Sequence, residues 1–233
     1  MKTRTAILAL GSFFLLCSKN VTEERGPAAP ILLPPPDELA VVEKGIDAVP
    51  EADAIQLDWL APEGEEVAGF RLYRRTGRSG PFLLLKSFKA QDSTYVDAAG
   101  IEIGTRYFYF MTAVDYSGRE SAPSDTVDYM LVPKAFNLHC SAGLTPVFRW
   151  HVQDYPAQYV LKLFDLSDGS KVWFSLVPSS YQGQEEVVTY NWDGAAAAPA
   201  LVSGRQYRWR VDVVGVERNS GSESAWSRFT ASP

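Results

Sequence analysis

The stretch IEIGTRYFYFMTAVD, residues 101–115, sets Tyr107, Phe108, Tyr109 and Phe110 in an unbroken row. A β-strand turns successive side chains to opposite faces, so such a row must split between two destinations. Counting from Tyr107, one face carries Tyr109, Met111 and Ala113. The other carries Phe108, Phe110 and Thr112. The first set is apolar throughout and reads as the inner face of a half-buried strand. The second set ends on a polar residue and has no evident core to enter.

The same stretch recurs 100 residues later as LVSGRQYRWRVDVVG, residues 201–215. Ile101, Gly104 and Tyr107 answer Leu201, Gly204 and Tyr207. Downstream, Glu120-Ser121-Ala122-Pro123-Ser124 answers Glu223-Ser224-Ala225-Trp226-Ser227. Upstream, IQLDW ending at Trp59 answers PVFRW ending at Trp150, and GFRLYR answers QYVLKL. Four matches in one order mark a tandem repeat. Each copy consists of short alternating runs between Gly, Pro, Asp and Ser turns, with no sustained helical period, which predicts an all-β sandwich. Strands are expected near 38–43, 54–60, 67–75, 81–88, 93–97, 105–115 and 124–132. In the second copy they are expected near 135–140, 145–152, 157–165, 171–177, 186–192, 205–215 and 224–231.

The strand ending in Trp59, the GFRLYRR strand, the IEIGTRY corner and the closing SGRESAPSDTV together resemble a fibronectin type III domain. The second copy resembles it less closely but keeps Trp150, LVSGRQY and SESAWSRF. The resemblance implies two tandem β-sandwiches at 37–132 and 133–233. It also implies that Tyr107 and Tyr207 are tyrosine corners, whose hydroxyls bond back to upstream backbone. The fold itself carries no particular activity.

The two inner faces agree: Tyr107, Tyr109, Met111 and Ala113 against Tyr207, Trp209, Val211 and Val213. The outer faces differ, because Phe108, Phe110 and Thr112 stand where the second copy has Arg208, Arg210 and Asp212. On the neighbouring strand Phe70 and Leu72 are expected to point inward, leaving Arg71, Tyr73 and Arg75 outside. Exposed aromatics beside arginines are enriched at interfaces. Three destinations remain open for this face: cover from within the chain, a protein partner (a second copy included), or a glycan stacking on the rings. Tyr73, Phe108, Phe110, Arg71 and Arg75 are the candidate partner-binding residues.

The N-terminus reads MKTRTAILALGSFFLLCSKN. Its apolar run is too short to span a bilayer, which takes roughly 17–25 residues. Residues 1–16 have the layout of a signal peptide. The Cys after the run resembles the lipobox of bacterial lipoproteins, with Phe14-Leu15-Leu16-Cys17 at the motif. Leu16 departs from the Gly, Ala or Ser usual before that cysteine, and ordinary secretion stays open beside lipidation. The resemblance implies a lipid on Cys17 and export to the cell envelope, with Ser18 favouring the outer membrane. Residues 17–36 are rich in proline, at 27, 30, 34, 35 and 36, and are expected to form a semi-rigid stalk.

Charge excludes one class of partner. The formal net charge is −6, and residues 37–133 alone hold 17 acidic and 9 basic residues, whereas residues 134–233 hold 9 of each. Nucleic-acid binding through phosphates needs clustered positive charge, so it is not expected. Two cysteines, Cys17 and Cys140, lie too far apart in role for a structural disulfide. His139 and Cys140 are adjacent on a strand and face opposite ways, which argues against a metal site, and Cys140 reads as a small buried hydrophobe. Asp168-Gly169 reads as a hairpin turn rather than a calcium loop. The four arginines of RLYRRTGR read as a solvated strand edge and turn. No phosphate loop, nucleophile elbow or paired-carboxylate arrangement is present, so no catalysis, cofactor or metal is expected. The sequence predicts a non-catalytic, envelope-tethered interaction or scaffold protein. The alternative is a carbohydrate-binding or adhesive module, for which Trp173, Trp192 and Trp226 are the second domain's candidates.

Overall fold

The computed structural model describes residues 26–64, 66–154, 156–180 and 185–233. The expected signal peptide at 1–16, Cys17 and the first part of the Pro-rich segment lie outside the described residues.

The first sandwich has two layers. One is built on β3 (Ala52–Leu60), which pairs with β2 (Asp47–Val49), β6 (Thr94–Asp97) and the short β1 (Ile31–Leu32). The other runs β5 (Leu83–Lys89), β4 (Gly69–Thr76), β7 (Arg106–Val114), β8 (Val127–Leu131), all antiparallel. The second sandwich repeats the plan. β9 (Phe136–Cys140), β10 (Val147–His151) and β13 (Glu185–Thr189) make one layer. β11 (Gln158–Asp165), β12 (Lys171–Pro178), β14 (Gln206–Val214), β15 (Ser220–Glu223) and β16 (Ser227–Thr230) make the other.

Alternation sets the cores. Along β7, Tyr107, Tyr109, Met111 and Ala113 are buried, and along β14 so are Tyr207, Trp209, Val211 and Val213. Phe70 and Leu72 enter the first core with Trp59, while Trp150, Trp173 and Phe148 fill the second. Burying such aromatics supplies most of the stabilisation of each sandwich. At the corners the Tyr107 hydroxyl donates to Gly100 O and accepts from Glu102 N–H, both at 3.0 Å. The Tyr207 hydroxyl accepts from Val202 N–H at 3.1 Å.

Two expectations are corrected. The segment 38–43 is not a strand: Val41 and Val42 are exposed, and pairing with β3 is made on either side of it, by β1 before and by β2 after, where Ala48 is buried. An apolar pair in a turn resembled a strand because both satisfy the same short pattern. Nor do the described residues of the Pro-rich segment stand off as a stalk. Leu32 is buried, Leu33 N–H donates to Asp58 O, and Ile46 N–H donates to Leu33 O. The chain passes so close that a Cβ on Gly45 would lie 1.9 Å from Pro34 O, and Gly45 has φ +137°. Only glycine fits there.

The two sandwiches are joined by more than the linker. β15 pairs with β8 in parallel, Ser220 in register with Met130 and Gly221 with Leu131. The pairing fuses the two larger layers into one nine-stranded sheet. Leu131 faces the first core, yet Gly221 opposes Val214, whose neighbour Val213 faces the second core. In-register neighbours share a side of a sheet. The side that is core for the first domain is therefore the outer side for the second, and the sandwiches lie on opposite faces of the shared sheet.

Candidate partner-binding face

The outer face of β4 and β7 in the first domain assembles the predicted residues in cross-strand pairs: Arg71 with Thr112, Tyr73 with Phe110, Arg75 with Phe108. All three pairs are made. Tyr73 and Phe110 stack with ring centroids 4.7 Å apart and planes 16° from parallel. Phe82, which the sequence reading passed over, meets Phe110 edge-on at 4.8 Å. The Arg75 guanidinium lies 4.5 Å from the Phe108 centroid and 4.7 Å from that of Phe82. Phe108 and Phe110 are half-buried against these neighbours, and Phe108 also borders a cleft that Glu217 and Arg218 of the second domain line. Leu84 at the start of β5, in register with Tyr73, extends the apolar surface and is 53% exposed, whereas Leu83, in register with Arg74, turns to the other side of the sheet.

Glu120 anchors the polar end. Its carboxylate accepts from Thr112 Oγ1 at 2.8 Å and from the Tyr73 hydroxyl at 3.0 Å, and it pairs with Arg71. Partial burial pushes its pKa up, but these bonds outweigh burial and hold it below the usual range. Burial and the Glu120 bond together raise the Tyr73 hydroxyl. Arg74, on the inward-leaning side of the strand, bonds Asp97 at 2.8 Å, a carboxylate that also accepts from Tyr109 at 2.9 Å.

The second domain carries the same ladder with its polarity reversed. Phe164 on β11 opposes Arg208 on β14, where the first domain has Arg75 opposing Phe108. Arg208 lies over Phe164 at 5.3 Å and over Trp226 at 4.5 Å. Further along, however, this face is closed by the first domain. Glu43, from the segment between β1 and β2, pairs with Lys162 and, at 2.6 Å, with Arg210. Asp212 pairs with Lys162 at 2.8 Å and with Arg210 at 2.8 Å, and Glu223 pairs with Arg210. Lys162 and Arg210 are each 3% exposed. The carboxylate oxygens of Glu43, Asp212 and Glu223 lie within 4.8 Å of one another. Two cations already fill the space between them, so the group is an ion-pair cluster locking the domains. Burial and then Asp212 raise Glu223, and burial foremost raises Asp47, whose carboxylate accepts from the Tyr129 hydroxyl, to about 6. A cleft of about 320 Å³ opens beside the cluster, lined among others by Glu38, Asp47, Tyr129 and Lys162.

The remaining sequence candidates separate. Trp173 is fully buried, Trp192 is 52% exposed and donates to Ser175 Oγ at 3.1 Å, and Trp226 belongs to the Arg208 ladder, so the three form no common platform. Cys140 opposes Phe148, whereas His151 opposes Phe136. Burial raises the Cys140 thiol to about 11, the reverse of an activated nucleophile. Asp168 and Gly169 sit in the β11–β12 turn, with Gly169 N–H donating to Asp165 O at 3.0 Å. The end-matched motifs 120–124 and 223–227 are also offset in space. Ser124 Oγ accepts from Met111 N–H and Ser224 Oγ from Val211 N–H, so Ser124 and Ser224 are the equivalent residues.

Two antiparallel layers facing each other in each copy, with a tyrosine corner in both, decide the architecture. Both domains are fibronectin type III-like. No protein-family model and no curated protein matches the chain. Among solved structures, a two-domain fibronectin type III segment of chicken tenascin matches over 82% of this chain and 98% of its own, at 16% identity and TM-score 0.33. The FN1–FN3 domains of chicken CNTN1 match over 89% and 69%, at 12% identity and TM-score 0.39. A β-1,2-glucanase from Parabacteroides distasonis is 25% identical over 46% of this chain, with TM-score 0.35, and the match spans 13% of the glucanase.

Proposed function

We propose that this chain is a non-catalytic interaction platform whose first domain binds a protein partner through the outer face of β4 and β7. The observation that supports this reading is the outward half of the aromatic row. Phe108 and Phe110 share one face with Tyr73, Phe82 and Leu84, bordered by arginine. Aromatic anchors beside arginine are the composition of binding hot spots. The second domain acts as a rigid support, held by the shared sheet and by the Glu43 cluster.

Export and attachment through a lipid on Cys17 complete the reading, placing the platform in the cell envelope as an accessory subunit of a larger complex. Cys17→Ser is expected to move the chain from the membrane fraction to the soluble fraction. Co-purification from mildly solubilised native membranes tests the binding face. A stoichiometric partner is expected with wild type and lost with Phe108→Ser/Phe110→Ser. A partner that survives both substitutions refutes the choice of face.

A glycan-binding reading draws on the half-buried rings of this face and on the exposed Trp192. It predicts retardation of the isolated chain in gels containing polysaccharide, and a protein-binding face does not.

A further inference from the structure

The β4–β5 hairpin is an island of positive charge in an acidic domain. Residues 69–89 hold Arg71, Arg74, Arg75, Arg78, Lys86 and Lys89 and no acidic residue, although residues 37–133 hold 17 acids against 9 bases. The chain itself satisfies two of these cations, Arg71 through Glu120 and Arg74 through Asp97. Among the described residues no carboxylate pairs with Arg75, Arg78, Lys86 or Lys89.

Arg75 is the most constrained of the four. Its guanidinium is held between the rings of Phe82 and Phe108, and its Nε is buried with no hydrogen-bond partner. A buried donor left unpaired is destabilising, and a carboxylate is the acceptor that fits a guanidinium fork best. Arg208, the corresponding stacked arginine of the second domain, has no such orphaned atom. Stacking alone therefore does not require one. The rings already fix the Arg75 side chain, so a partner that pairs with it does not bear the cost of immobilising it.

We propose that this hairpin receives an extended acidic segment of a protein partner. A carboxylate of that segment pairs with Arg75, and apolar residues beside it pack on Phe82, Phe108 and Phe110. The inference rests on the interaction-face reading above and adds the chemistry of the partner. Among the described residues β5 ends the nine-stranded sheet with no further strand paired to it, whereas the opposite edge strand, β12, receives Ala197 N–H on Val172 O at 2.9 Å. A second copy of the chain is a poor occupant of that edge. Antiparallel self-pairing centred on β5 would set Lys86 against Lys86, and like charges directly opposite are destabilising.

A library of random 12-residue peptides displayed on phage and selected on the full chain tests this. Enriched peptides are expected to carry Asp or Glu next to an apolar residue. They should bind Arg75→Gln about ten- to a hundredfold more weakly, the value of a charge-assisted bond. Arg75→Lys, which keeps the charge and loses the fork, should fall between, and Arg208→Gln should bind as wild type. Thermal melts of each variant separate lost binding from lost folding. Peptides that lose binding to Phe108→Ser/Phe110→Ser but ignore Arg75→Gln overturn this inference and leave the face intact. Peptides indifferent to all of these substitutions overturn both. Acid-free binders, an empty selection, or retardation by polygalacturonate in place of peptide binding each overturn the acidic-segment assignment.

Discussion

Gly221 stands in register with Leu131, and this pair carries the junction between the two sandwiches. A Cβ at Gly221 would lie 2.8 Å from the Tyr129 hydroxyl and 2.9 Å from Val213 O. Gly221→Val therefore has to displace a buried tyrosine or a strand backbone. It is expected to cost about 1–3 kcal/mol, as overpacking does, and to part the domains before either core melts. Calorimetry should show one transition in wild type and two in the variant. A single unshifted transition would mean that the junction tolerates the added bulk.

The buried acids at the interface make stability depend on pH. Asp47 is raised to about 6, and Glu223 is raised as well, so the folded chain holds protons that the unfolded chain releases. Stability from this source is complete below the ordinary carboxylate pKa of about 4 and falls as pH rises through about 6. The melting temperature should drop by several degrees between pH 5 and pH 7. Asp47→Asn should flatten that slope, and an unchanged slope would locate the titration elsewhere.

Tyr107→Phe removes a hydroxyl with two backbone partners, Gly100 O and Glu102 N–H. Both then lose a buried partner, and a cost of about 1–3 kcal/mol is expected with the core otherwise intact. Urea unfolding should show a lower midpoint with an unchanged m value.

Gly45→Ala combines a strained φ with a clash against Pro34 O. The strain is of order 1–3 kcal/mol, and the least costly relief is release of residues 31–36 from the sandwich. Limited proteolysis should cut the variant near Leu33 while wild type resists. Resistance in both would show that the segment holds by other contacts.

Much of the fold was legible in the sequence because alternation and repeat spacing are local signals. The inward set of β7 and β14 followed from counting by two, and both tyrosine corners followed from the recurring Gly-x-x-Tyr spacing. The lock between the domains was not legible. Glu43 lies 119 residues from Lys162 and 167 from Arg210, and nothing local marks it as a partner for either. β15 was missed because SGSE has no apolar residue to alternate. Its place in the sheet comes from pairing with β14 just before it and with β8, which lies far away in sequence. On the candidate face, the pairs with Arg71, Tyr73 and Arg75 were readable from strand phase. Phe82 was not, because a turn at Gly80-Pro81 returns its ring to a face that strand counting had assigned to two strands alone.

The shared sheet bears on how this protein can be dissected. Cutting between residues 132 and 133 would release two fragments, each with a freshly bared strand edge, β8 on one and β15 on the other. The second fragment would also keep Lys162 and Arg210 without Glu43 above them. Bare edges pair with whatever strand they meet, so the halves are prone to self-association. The repeat visible in the sequence is therefore no longer a pair of interchangeable beads: each copy has become part of the other's interior.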